Sequence, residues 1–297
     1  MRRNVLIALV LVGAFVVAAP RLEAQKQQQL FLSLIGTDGK PVTDLTAADV
    51  TVTEDGVACK IAKIEPVTWP MKLQVLVDNG KANTNPINSL RDGLKAFFDL
   101  IPDGVELSLY TTSPQPRPIV KPTTDKAQVK KGIDLIAPDS GAGAFFDALS
   151  EAATRMDRDK SSKFPVIVMV GSDLGRNNVM DRDYQKLQEN IIKHGMTVHV
   201  IVNSAGGQST SGGAAQTEIG LAVTKLSGGR YENIATVTRL ATLLPEFGKR
   251  IAESDAKQRN QYRITYERPA NAKENPQIGA GVSRPGTPSL SLDGHQP

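Results

Sequence analysis

The chain has 297 residues, of which 40% are hydrophobic, enough for one large core or two modest ones, and its 35 basic and 31 acidic side chains give a net charge of +4. That near balance argues against a nucleic-acid partner: Lys126, Lys130 and Lys131 share their stretch with Asp125 and Asp134, the pattern of a solvated helix face. A single cysteine, Cys59, excludes an intramolecular disulfide scaffold; it reads as a small buried hydrophobe, and a catalytic thiol would need a partner no nearer in sequence than His194.

Residues 1–24 read as a secretory signal peptide. Arg2 and Arg3 precede an apolar and small-residue run over 5–19, too short to span a bilayer and followed by Pro20, Arg21 and Glu23. Cleavage is expected after Ala24, with Ala19 as the alternative, and the Arg pair partly resembles a twin-arginine signal. With no cysteine at the cut, neither a lipid anchor nor a stable membrane anchor is expected. Losing three basic residues and one acidic one with this segment lowers the net charge from +4 to +2.

Over 30–64, β-rich segments alternate with the turn signals Asp38-Gly39 and Asp55-Gly56, which predicts a small β module. Pro66 and Pro70 then mark a linker around Trp69. From there strands and helices alternate. Strands are expected over 73–77, 105–112, 165–171, 196–202 and 229–234, several of them apolar throughout, as in a parallel sheet buried on both faces. Helices are expected over 86–101, 126–136, 144–156, 184–194, 218–226 and 238–257, the last kinked or broken by Pro245. Gly195 is placed to cap the fourth. This alternation predicts a sheet covered by helices on both faces, with ligands bound outside the carboxyl ends of the strands. A strand over 261–267 follows, then a tail rich in Pro, Gly, Asn and Ser with room for one more strand before the chain becomes disordered.

The apolar strand ending in Asp78, GAGAFFDAL at 141–149 and VIVMVGSDLG at 166–175 together resemble a von Willebrand factor A domain. TDGKPVTDLTAADVTVTEDGVACKI at 37–61 resembles the β module that precedes that domain in exported bacterial proteins of the "VWFA-related" type, and QYRITYE with the following SRPG is similar to the end of the same family. The implied fold is α/β, a Rossmann-like, mostly parallel sheet with helices on both faces, plus a small N-terminal β module packed with a C-terminal β segment. The resulting division is 1–24 signal peptide, 25–66 β module, 71–257 A-like domain, 258–286 C-terminal strand segment and 287–297 disordered tail.

The resemblance also implies a metal-ion-dependent adhesion site, in which oxygens from three loops hold a divalent cation. Mg²⁺ needs an octahedron of oxygens at near-ideal distances. Here the first loop, Asp-x-Ser-x-Ser in the family, reads Asp78-Asn79-Gly80-Lys81-Ala82. The second-loop Thr falls on Gly143, and the third-loop Asp falls on Ser172, with Asp173 one place later. Only Asp78 matches, so the conventional site is expected to be degenerate and no cofactor is expected. The alternative is a rearranged Mg²⁺ or other divalent-cation site on Asp78, Ser172 or Asp173, completed by Asn79, Asn83 or Thr84. Lys81 either replaces the cation by pairing with Asp78 or points to water, the second being the simpler reading.

Enzyme signatures are weak. The Ser/Gly-rich stretch 204–213 lacks the Gly-Lys-Ser/Thr ending of a phosphate loop and reads as a flexible surface loop. His194 ends a helix, His199 sits inside an apolar strand, His295 lies in the tail, and Asp181 and Asp183 suit a helix N-terminus. The resemblance implies a non-catalytic binder of a protein in the periplasm or outside the cell, through loops at 79–85, 140–143, 172–178 and 204–213. The alternative is an exported hydrolase using carboxylates on those loops.

Overall fold

A computed structural model describes residues 27–67, 69–80, 82–159, 164–176, 179–204, 211–292 and 294, side chains at 211–214 excepted. In chain order the elements are β1 (Gln27–Ile35), β2 (Val50–Glu54), β3 (Val57–Val67), β4 (Met71–Val77), α1 (Ile87–Leu100), β5 (Glu106–Thr111), β6 (Arg117–Thr123), α2 (Lys126–Asp134), α3 (Phe145–Arg158), β7 (Phe164–Ser172), α4 (Asp181–His194), β8 (Thr197–Asn203), α5 (Ser211–Ser227), β9 (Tyr231–Ile234), α6 (Leu240–Arg259), β10 (Gln261–Glu267), β11 (Ile278–Val282) and β12 (Thr287–Ser291).

Strands β4 to β9 form one sheet in the order β6-β5-β4-β7-β8-β9, parallel except for the antiparallel edge strand β6. β7 is buried along its whole length, because both of its faces are covered. One face packs on α1, α2 and α6 through Leu90, Leu94, Phe97, Val129, Leu244 and Phe247. The other packs on α3, α4 and α5 through Phe145, Leu149, Leu187, Ile191 and Val223. Helices α1 and α6 approach closely because each supplies a glycine: Gly93 lies against the Leu240 backbone and Gly248 against that of Phe97.

The remaining strands form an antiparallel sheet in the order β11-β2-β3-β10-β1-β12. Its two edge strands are joined by residues 283–286 alone, which span at most about 18 Å, so the sheet curls until its edges approach. Leu30, Leu32, Leu34, Val52, Ile264 and Tyr266 fill its core. Glu54 is buried there, with its carboxylate accepting from the Tyr266 hydroxyl at 2.9 Å and from Arg268 Nε at 3.0 Å. Within this sheet Val67 of β3 faces Gln261 of β10, so the helix-covered sheet is inserted between two paired residues. Trp69 bridges the two sheets, its ring 5.5 Å from Phe31 and 5.4 Å from Phe164.

Several expectations change. β6 was not expected; Pro118 and Pro122 argue against a strand, and both are tolerated because β6 is an edge. Residues 287–291, expected to be disordered, form β12 by pairing with β1, a long-range partner invisible to composition. β3 runs through Pro66 to Val67, where a linker was expected. α6 continues unbroken through Pro245, held by its packing on α1. α5 begins at Ser211, so part of the surface loop expected over 204–213 is helical. Cys59 is half-buried rather than fully buried. The signal segment 1–24, Lys81 and His295 lie outside the described residues; among the described helices none is long and apolar enough to cross a membrane.

Candidate functional site

The carboxyl ends of β4, β5, β7 and β8 bring Asp78, Ser113, Ser172 and Asn203 to one edge of the parallel sheet. The Asp78 backbone N–H extends the ladder to Val170 O at 2.8 Å, which fixes where its side chain leaves the sheet. Asp78 is 2% exposed. Its Oδ1 accepts from Ser113 Oγ at 2.7 Å and from the Gly80 N–H at 2.8 Å, and its Oδ2 accepts from Ser172 Oγ at 2.6 Å. These short bonds satisfy the carboxyl oxygens within the protein.

Gly143 closes the remaining side. A Cβ built there would lie 2.5 Å from Asp78 Cγ and 2.6 Å from each of its oxygens, so no side chain fits between this loop and the carboxylate. Gly143 O in turn accepts from the Arg176 N–H at 2.8 Å, which ties the second loop to the third. Asn79 locks the base of the first loop, its Nδ2 donating to Ala137 O at 2.9 Å and its Oδ1 accepting from the Ser113 N–H at 3.1 Å. Thr84 donates to Gly80 O at 3.0 Å, and Asn203 Nδ2 donates to Ala82 O at 2.7 Å. Asp173 is buried, and its N–H donates to Asn203 O at 3.0 Å.

Of the expected residues, Asp78 and Ser172 come together and bond to each other, and Gly143 supplies no side-chain oxygen. The sequence reading missed Ser113 and Asn203, although both sit at the ends of strands feeding the same edge, which was the available signal. Buried polar atoms with no partner among the described residues are both amide atoms of Asn83, which the sequence reading had named, and those of Gln216, Thr112 Oγ1 and Asn203 Oδ1, which it had not. Above them the segment after β7 turns apolar side chains outward. Leu174 is 47%, Val179 37% and Met180 63% exposed.

The other titratable candidates lie elsewhere. Asp181 and Asp183 occupy the first turn of α4, where negative charge suits the helix dipole. His194, in its last turn, meets Asp157 of α3 at 2.7 Å beside Lys193, and these partners, Lys193 first, hold the Asp157 carboxyl down at about 2. His199 is buried, its Nδ1 accepting from the Arg230 N–H at 3.0 Å; burial first, then Arg250 and Arg230, pushes its imidazole down to about 3. Cys59 belongs to β3 of the antiparallel sheet and His194 to α4 on the other, and burial pushes the Cys59 thiol up.

No protein-family model matches the sequence, and no curated protein matches it. Among solved structures, the von Willebrand factor type A protein from Catenulispora acidiphila is similar at a TM-score of 0.51 and 11% identity, covering 91% of this chain and 73% of that one. BatB from Bacteroides thetaiotaomicron aligns at 0.46 and 10%, covering 63% and 100%. The vWF domain of the type V pili tip protein Mfa5 from Porphyromonas gingivalis aligns at 0.46 and 12%, covering 62% and 96%. At these identities the likeness is one of fold.

Proposed function

For a chain with a von Willebrand factor A-like fold, we propose an exported, non-catalytic binding protein whose carboxyl-edge loops take a protein partner without a metal ion. The observation that carries this reading is a juxtaposition: the carboxylate that would hold a cation is sealed by Ser113, Ser172 and Gly80, while Leu174, Val179 and Met180 face solvent on an adjoining loop. Exposed apolar side chains beside a polar rim are the usual make-up of a contact surface. The buried amides of Asn83 and Gln216, without a partner among the described residues, give this edge a reason to rearrange, since burying such groups unpaired costs about 1–3 kcal/mol each. Residues 1–24 support delivery to the periplasm or the exterior.

The test is capture of partners by the immobilised mature protein from the envelope fraction of its source, with and without EDTA, compared with the double variant Leu174→Asp/Met180→Asp. A partner retained in EDTA and lost in the variant at an unchanged unfolding midpoint supports the reading. Release by EDTA, or equal capture by both proteins, overturns it.

A further inference from the structure

We propose that a second site, a cleft at the amino edge of the parallel sheet between the ends of α4 and α5 and the last turns of α6, binds a small amphipathic organic acid. The cleft lies at the end of β8 opposite Asp78 and Ser172, so this inference is independent of the binding edge described above. Its volume is about 610 Å³, within the range of small-molecule sites.

Its chemistry is divided. Ile191 and Met196 line it from the core, and Ile192 and Leu226, 65% and 39% exposed, form an apolar lip. At the back stand two polar side chains, His199 and Gln258, each 3% exposed. Because His199 Nδ1 accepts from the Arg230 N–H, the neutral ring carries its hydrogen on Nε2, and Gln258 Oε1 has no donor among the described residues. A ring N–H and an unpartnered amide oxygen behind an apolar lip fit a ligand that brings hydrogen-bonding atoms on an apolar body.

The charge at the mouth selects its sign. Arg250 and Ser254 lie one turn apart on α6 at the mouth, and Arg250 has no ion pair among the described residues. The carboxylate facing them, Glu253, lies 4.0 Å from Lys249. The helix carbonyls at this edge are capped: Ile192 O accepts from Gly195, Ile191 O from Met196 and Thr224 O from Gly229. The Arg250 guanidinium at the mouth is therefore what selects an anion, since it recognises a carboxylate or sulfonate through paired donors.

The test uses 8-anilinonaphthalene-1-sulfonate as a fluorescent probe of the folded mature protein, with decanoate and decanol as competitors. Saturable single-site binding is expected, displaced by decanoate and not by decanol. Arg250→Gln is expected to weaken it about tenfold, the loss of one charged contact of about 1.4 kcal/mol. Ser254→Trp, which fills the cleft from the α6 surface, is expected to abolish binding at an unchanged unfolding midpoint. Absence of saturable binding, equal affinity in both variants, or equal competition by decanol overturns the proposal; loss in Ser254→Trp with Arg250→Gln unchanged overturns the assignment of an acid.

Discussion

A side chain at position 143 would place its Cβ 2.5 Å from Asp78 Cγ, so the glycine and the carboxylate there are a matched pair. Gly143→Thr, which restores the residue type of a conventional adhesion site, is expected to lower stability by about 1–3 kcal/mol through overpacking and to confer no Mg²⁺ affinity, as read by urea unfolding and titration calorimetry. Asp78→Ala is expected to cost about 3 kcal/mol, because it orphans two buried hydroxyls and the Gly80 N–H at once. Calorimetric Mg²⁺ binding by the native protein that disappears in Asp78→Ala would overturn this picture. His199 makes a different prediction. Its folded pKa, about 3, lies below the 6.5 of a free imidazole, so the unfolded chain takes up the proton first as pH falls. This contribution is fully present above pH 6.5 and declines below it, with a slope approaching about 1.4 kcal/mol per pH unit until the folded ring titrates near 3. Asp157, held at about 2, acts only below the ordinary carboxylate range and leaves the window from about 5 to 6.5 clear. His199→Asn, whose amide oxygen can replace Nδ1 as acceptor for Arg230, is expected to flatten stability against pH in that window; an unchanged slope in urea melts would refute the assignment.

At the scale of elements, the contact between α1 and α6 depends on Gly93, where an alanine Cβ would overlap the Leu240 carbonyl. In an exposed helix Gly→Ala gains roughly 1 kcal/mol. Here the sign is expected to reverse, with Gly93→Ala lowering the thermal midpoint by several degrees, as calorimetry would show. The same elements explain what the sequence disclosed. α1 and α3 were legible because Leu90, Leu94 and Phe97, or Phe145, Leu149 and Ala152, recur at helical spacing, and β7 because an apolar run of its length is a buried strand. β6 and β12 were hidden because each rests on a neighbour supplied from elsewhere in the chain: a lone edge strand with two prolines, and a Pro/Ser segment whose partner is β1. The site divides similarly. Asp78 follows from the strand that ends at it, whereas Ser113 becomes its hydrogen-bond partner through the order β5-β4-β7, which periodicity does not encode.

At the scale of the molecule, the helix-covered sheet enters and leaves through one point. Val67 and Gln261 are directly opposed in an antiparallel pair, which places their Cα atoms about 5 Å apart, close enough for a two-residue hairpin turn to join β3 to β10. Replacing residues 68–260 with Asn-Gly should therefore leave a β protein of 27–67 and 261–292 that keeps its core around Leu32, Ile264 and Tyr266 and the buried pairing of Glu54 with Arg268. The excised segment 70–260 should fold by itself as well, since its two hydrophobic clusters, apart from the packing of Trp69, lie wholly within it. Trp69, the one tryptophan in the sequence, reports on the junction because its ring touches Phe31 of one sheet and Phe164 of the other. In the intact protein, Phe31→Ala should shift its emission to the red while leaving two folded sheets, each detectable by circular dichroism. If the hairpin-closed β protein unfolds without cooperativity, the curled sheet depends on the inserted unit for more than a point of attachment, and the contacts that Trp69 makes across the junction become the first place to look for that dependence.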